Sequence, residues 1–201
     1  MSDAPVSASR NFTKARVLLE SRGENRVAVK DFSFRPLTVR LLFGRRTLRR
    51  EARAYARLEG VEGIPRCIGL EGPDRLVIEW IDGEPIGKWR GERLPHAVFD
   101  RAGRLLRAVH ARGVAVSDLH GSNLLVTAGD RVFLIDFAQA RIGSRPERPG
   151  ALVRGLMRLD EHALARIRAR HYGEPEPLAK GFFGAIYRAA RRIKKRLPSL
   201  P

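Results

Sequence analysis

A chain of 201 residues with 43% hydrophobic content can bury one compact core, or two small lobes that share a cleft. Its 39 basic and 22 acidic residues leave a net charge of +17, which draws polyanions (nucleic acid, anionic lipid, phosphorylated glycolipid), although an Arg-rich make-up also follows from genomic base composition alone. The single Cys67 excludes an intramolecular disulfide and fits a reducing cytosol; no run approaches the about 20 apolar residues of a membrane span, and none follows Met1, so neither a transmembrane helix nor a signal peptide is expected.

Taken in order, residues 1–14 are polar and are expected to form a flexible N-terminus. Ala15 to Leu19 and Arg26 to Val29 are short apolar runs on either side of Ser21-Arg22-Gly23-Glu24-Asn25, which predicts a hairpin. Lys30 closes the second run, where a lysine can simply face solvent. Thr47 to Glu59 predicts a helix with Leu48, Ala52 and Tyr55 at helical spacing. Glu51 falls on that inward face, and a carboxylate inside an apolar stripe needs a partner because burying its charge alone is costly. Lys30 is the obvious cation. The alternatives are a surface Glu51 paired with an Arg one turn away, or Glu59 in its place. Gly60 to Gly63 ends the helix, a strand region starts at Ile64-Pro65, and Arg75 to Trp80 is a strand that turns out through Ile81-Asp82-Gly83. Leu94 to Arg112 predicts a long helix in which His110 reads as a core histidine. Leu156 to Arg170 predicts another, whose Asp160 either bonds the backbone of a preceding loop or is exposed. Residues 180–197 are amphipathic, with Phe183, Ile186, Tyr187, Ala190, Ile193 and Leu197 on one face and bases elsewhere. That pattern suits either an interfacial helix on anionic lipid or a terminal helix docked on the core.

The most informative stretch lies between the last two helices of the body. Val114-Ala115-Val116 and Leu124-Leu125-Val126 bracket a loop that carries Asp118 and Asn123. Gly129-Asp130 is a turn signal, so Leu124 to Val126 and Val132 to Ile135 read as a hairpin that brings Asn123 near Asp136. A carboxylate and a carboxamide at one loop mouth are hard oxygen ligands suited to Mg²⁺. Asp118 beside them is placed to orient a hydroxyl and accept its proton, which together make a phosphoryl-transfer constellation.

Asp118-Leu119-x-x-x-Asn123 followed by Ile135-Asp136-Phe137 resembles the catalytic loop and metal-binding aspartate motif of kinases. Ser-Asp-Leu-His-Gly-Ser-Asn with Ile-Asp-Phe-Ala-Gln-Ala is closer to atypical bacterial kinases, the RIO-like and lipopolysaccharide-core heptose and Kdo kinases, than to eukaryotic-type protein kinases. The likeness covers about Val27 to Arg141. It implies an α+β, two-lobed protein-kinase-like fold, with a small β-rich N-lobe over residues 15–81 and a truncated, mostly helical C-lobe over 82–178. The basic segment 179–201 follows. It also implies Asp118 as catalytic base, Asn123 and Asp136 as Mg²⁺ ligands, Lys30 (in Val27-Ala-Val-Lys) on the ATP phosphates with Glu51 holding it, and Glu79, Trp80 and Ile81 at the adenine. Val116-Ser117 stands where His-Arg is usual, Ala138 where Gly is usual, and Gly23 alone represents the Gly-rich loop. His120 is left without a role.

The expected function is ATP- and Mg²⁺-dependent transfer of the γ-phosphoryl group to a hydroxyl, either protein Ser/Thr or a lipopolysaccharide-core sugar. The alternative is a weak pseudokinase acting as a nucleotide-binding or scaffold module. A cytoplasmic location is expected, with residues 180–197 available to the inner face of the membrane. A nucleic-acid partner rests on charge alone and is disfavoured.

Overall fold

Alternation of buried and less buried residues builds the first half. A computed structural model describes residues 5–7 and 14–177. Strands β2 (Arg16–Arg22) and β3 (Asn25–Asp31) pair antiparallel in the register Val17↔Lys30 to Arg22↔Asn25. Gly23, with φ 62°, takes the first central position of the two-residue turn, where a positive φ is easiest for glycine. Val27 and Val29 of β3 point to one face, where Leu18 and Val77 join them in a small cluster. Ala28 and Lys30 therefore point to the other face. A short strand β1 (Pro5–Ser7), inside the segment expected to be a flexible terminus, pairs with β2. Strands β4 (Cys67–Glu71) and β5 (Arg75–Glu79) complete an antiparallel sheet of order β1-β2-β3-β5-β4.

Between β3 and β4 the chain is helical earlier than its periodicity predicts. A short helix α1 (Leu37–Val39) and a π-helical turn over Arg40–Gly44 lead directly into α2 (Arg45–Arg57). Helix α2 buries Leu48, Glu51, Ala54 and Tyr55; Ala54 rather than the expected Ala52 is fully buried, and Glu59 is exposed.

The second half has little sheet. Strand β6 (Glu84–Pro85) and a 3₁₀ turn over Ile86–Lys88 lead to helix α3 (His96–Ala111). Strand β7 (Val114–Ala115), a 3₁₀ turn over Gly121–Asn123, β8 (Leu124–Val126), β9 (Val132–Leu134) and β10 (Arg141–Ile142) precede helix α4 (Ala151–Tyr172). The predicted hairpin is the β8–β9 pair, in the register Leu124↔Leu134 to Val126↔Val132. The two halves are joined where the Leu134 amide donates to the Gly63 carbonyl at 2.9 Å. Gly63 has φ 86°, and a Cβ there would meet the Val132 carbonyl oxygen at 2.7 Å, so both conformation and close approach require glycine. The segment 180–197, read from sequence as interfacial or core-docked, lies outside the described residues.

Candidate active site

Strand β3 presents Lys30 on the face that looks toward α2, and α2 presents Glu51 from its inward stripe. The Lys30 ammonium donates to Glu51 Oε1 at 2.6 Å and to Asp136 Oδ1 at 2.7 Å. One cation thus ties the sheet, the helix and the segment after β9, across 106 positions of sequence. Glu51 is fully buried and Oε1 also accepts the Phe137 amide at 3.2 Å, while Oε2 is buried with no partner among the described residues. Phe137 is itself fully buried, and its ring meets Tyr55 edge-on at 5.0 Å. The pairing expected for Glu51 is therefore present, and the same carboxylate fixes the backbone next to Asp136.

The electrostatics follow from this arrangement. Burial alone would lower the pKa of Lys30, but the Glu51 and Asp136 carboxylates outweigh it and hold the ammonium well above the usual lysine range. Burial pushes the Glu51 carboxyl up, against the opposing pull of Lys30. Burial also acts upward on Asp136, yet Lys30 holds that carboxyl below the ordinary value. Asp136 has φ 70°, a left-handed conformation uncommon for a side chain other than glycine. Its Oδ1 accepts the Ala138 amide at 3.2 Å.

The loop carrying Asp118 is held from beneath. Asp160 of α4, buried to 2% exposure, accepts the Val116 amide at 2.8 Å and the Ser117 amide at 2.9 Å, and lies 3.3 Å from His110 Nε2. Of the two sequence readings of Asp160, the loop-bonding one holds, and the largely covered His110 is a partner to it. Ser117 has φ 68°, and Leu119 is buried beside it, so Asp118 between them is turned outward and its side chain is 64% exposed. His120 Nε2 lies 4.0 Å from Asp118 Oδ2. Asn123 Nδ2 donates to the Asp118 carbonyl at 3.2 Å, and the Ile135 amide donates to the Asn123 carbonyl at 2.9 Å. Asn123 is thereby coupled to the backbone of Asp118 and to the residue preceding Asp136.

Close packing of backbone supports the same loop, which the sequence reading missed. Gly121 lies against Gly87: a Cβ on Gly121 would meet the Gly87 Cα at 2.8 Å. The sequence contains both glycines, but nothing local indicates that they touch, since they lie 34 positions apart.

The adenine contacts expected at Glu79, Trp80 and Ile81 are main-chain ones, made in the segment that leaves β5. The Glu79 carboxylate is turned away, accepting the Arg66 amide at 2.9 Å, and the Trp80 amide donates to the Arg26 carbonyl at 3.1 Å. Ile81 is buried, its carbonyl accepts the Gly83 amide at 3.1 Å, and its amide has no acceptor among the described residues. Among the described residues the Ile81 amide is therefore a main-chain donor without a partner in this segment.

Two hard oxygens are available for a cation. Donation by Asn123 Nδ2 leaves Oδ1 uncommitted, and Asp136 retains Oδ2 after Oδ1 is engaged by Lys30 and Ala138. No cluster of three or more His, Cys, Asp or Glu suited to a metal occurs among the described residues. A pair of oxygen donors without a full protein cage fits Mg²⁺, which keeps several waters and takes further oxygens from phosphate.

Comparison with known proteins places this geometry in context. No protein-family model matches the chain. A probable SapB synthase of Streptomyces coelicolor is 33% identical over 114 residues, covering 46% of this chain and 12% of that protein. A probable bifunctional tRNA threonylcarbamoyladenosine biosynthesis protein of Methanosarcina acetivorans is 30% identical over 143 residues, covering 69% of this chain and 24% of that protein. The chain therefore spans about a quarter or less of the curated relatives it matches. Among solved structures, the Rio2 kinase–ADP/Mg²⁺–phosphoaspartate complex from Chaetomium thermophilum superposes with a TM-score of 0.63 at 16% identity, covering 91% of this chain and 59% of that one. A second Rio2 kinase structure from the same organism gives 0.63 at 15%.

Proposed function

From its protein-kinase-like fold we propose that this chain is an ATP- and Mg²⁺-dependent phosphotransferase acting on a hydroxyl acceptor. The observation that carries the reading is the Lys30 ammonium held at 2.6 Å from Glu51 and 2.7 Å from Asp136. In this reading Lys30 positions the ATP phosphates, Glu51 keeps it oriented, and Asn123 Oδ1 with Asp136 Oδ2 holds Mg²⁺. The bound metal supplies neutralisation of charge on the transferred phosphoryl group. The Ile81 amide donates a hydrogen bond to a ring nitrogen of adenine, and the main-chain carbonyls of residues 79–81 are the acceptors for the adenine amino group. Asp118 receives the proton of the acceptor hydroxyl as that oxygen bonds to the γ-phosphorus; the bond to the β–γ bridging oxygen breaks and ADP leaves. The exposure of Asp118 supports an acceptor approaching from solvent.

Two acceptor classes remain in the proposal: a protein Ser/Thr, the chain itself included, and a sugar hydroxyl of lipopolysaccharide core. Because the Rio2 complex is described as holding phosphoaspartate, hydroxylamine-labile labelling of the chain is scored beside transfer to either class. A second reading, a nucleotide-binding module without turnover, is favoured by the β2–β3 turn, where Gly23 is the only glycine and no Gly-rich loop covers a phosphate. Measuring ATP binding and ATP consumption separately distinguishes the two.

The direct test is labelled-ATP transfer to cell-envelope glycolipid and soluble protein fractions, with Asp136→Ala as control. Loss of a group of this kind is expected to lower metal-dependent transfer by about 10³-fold, while the melting transition persists. Retained turnover in that variant would overturn the assignment of Asp136.

A further inference from the structure

The helical segment ahead of α2 carries a patch that phosphotransfer does not use. Leu37, Leu41, Leu42 and Phe43 are between 48% and 63% exposed, and Phe34 in the turn just before α1 is 45% exposed, with the Arg16 and Arg35 guanidinium groups over its ring. Leu41, Leu42 and Phe43 are all open to solvent, while Arg40 bonds the buried Asp74 and the buried Gly44 packs on Phe32, so this turn is anchored at both ends and presents its apolar side chains outward. It is also the π-helical turn, Arg40–Gly44, an irregularity frequent at functional sites. The apolar turn is followed by exposed Arg46, Arg49 and Arg53, which have no carboxylate partner among the described residues. Arg40 and Arg45, by contrast, are spent on Asp74.

We infer that the Phe34–Phe43 patch inserts into the surface of an anionic lipid bilayer, with the following arginines on the headgroups. Apolar side chains on an outward-facing turn, followed by guanidinium groups with no carboxylate partner among the described residues, match the two layers of a bilayer surface, acyl chains below and anionic headgroups above. Duplex or single-stranded nucleic acid would satisfy the arginines but gives no apolar medium for leucines. A second copy of this chain would satisfy the leucines but set arginine against arginine on a molecule of net charge +17. The inference does not depend on the phosphotransfer reading, since it uses none of Lys30, Glu51, Asp118, Asn123 or Asp136.

The test is binding of the full chain to phosphatidylcholine vesicles with and without phosphatidylglycerol, by flotation. Wild type is expected to bind the phosphatidylglycerol vesicles only, and L42E/F43E to bind them at least about tenfold more weakly with an unchanged thermal transition. Because residues 180–197 are also basic and amphipathic in sequence, L42W locates the contact. Its emission should shift to the blue on binding and be quenched by brominated lipid beyond the level given by Trp80 and Trp89 in wild type. Absence of vesicle binding, full binding by L42E/F43E, or an unshifted L42W overturns the inference. So does a dimer in sedimentation that L42E/F43E dissociates, or tighter binding to single-stranded DNA that L42E/F43E leaves intact while vesicles are ignored.

Discussion

Asp160 shows how one side chain can set the conformation of a distant loop. Its carboxylate, at 2% exposure, satisfies two successive amides, Val116 and Ser117, and Ser117 is held at φ 68°, a conformation that costs a non-glycine residue about 1–2 kcal/mol. Such a conformation persists only where the surroundings over-determine it. Asp160→Ala removes both acceptors and is expected to lower the unfolding free energy by about 3 kcal/mol, since hydrogen bonds to a charged group contribute about 1.5–3 kcal/mol each and do not add fully. Asp160→Asn keeps the shape and one acceptor oxygen, so it should lose less. Urea unfolding of the two variants checks the order. Equal stability of Asp160→Ala and wild type would mean that the loop supports itself. If the loop does present Asp118 to an acceptor, phosphoryl transfer by Asp160→Ala should fall while ATP affinity stays, because Asp160 touches none of Lys30, Ile81 or Asp136.

At the scale of elements, the turn between β4 and β5 anchors the start of the α2 arm. Asp74 in that turn is buried, accepts Arg45 Nε at 2.9 Å and Arg40 Nε at 3.0 Å, and its carbonyl takes the Phe32 amide at 2.9 Å. Hydrogen bonds from the two guanidinium groups hold its carboxyl down at about 2, from an ordinary 3.8. A depressed carboxyl contributes stability that is present above the unfolded value and lost as pH falls through the folded one. Asp74→Asn should therefore be less stable than wild type at neutral pH by about 1–2 kcal/mol, a figure reduced because both arginines are partly exposed to water. The gap should close between pH 4 and pH 2 and nowhere above, which thermal melts across that range will show. The Leu37–Gly44 arm that Asp74 anchors was not legible in the sequence. Helix detection relies on a stripe turned inward, and here Leu37, Leu41, Leu42 and Phe43 face outward. The opposite holds for α2 and for the β8–β9 hairpin, where periodicity, a turn signal and the need of Glu51 for a cation are all local or nearly so. Two-residue strands such as β7 and β10 leave no periodicity, and they exist because the pairing Arg141↔Ala115 is imposed from outside. For the same reason the Gly87–Gly121 contact and the choice between the two readings of Asp160 needed the fold.

Considered as a whole, the molecule keeps its lobes on a shared core. One continuous cluster of buried side chains includes Phe32, Leu48, Tyr55 and Ile78 from the sheet half and Leu105, Leu134 and Phe137 from the helical half. Tyr55 sits at the seam, 3% exposed and edge-on to Phe137. The Lys30–Asp136 contact crosses the same seam, so the geometry proposed for phosphate and metal exists only when both halves are folded. Domains with separate cores unfold separately, whereas a continuous core is lost in one cooperative step. Calorimetry should accordingly give a single transition whose calorimetric and van't Hoff enthalpies agree. Tyr55→Ala should shift that transition down as a unit, by about 3–5 kcal/mol as for other large aromatic truncations in cores, and should not split it. Two resolved transitions in wild type, or a variant in which only one half melts early, would show that the lobes are energetically independent, and the ion pair between Lys30 and Asp136 would then be a consequence of docking rather than of the common core.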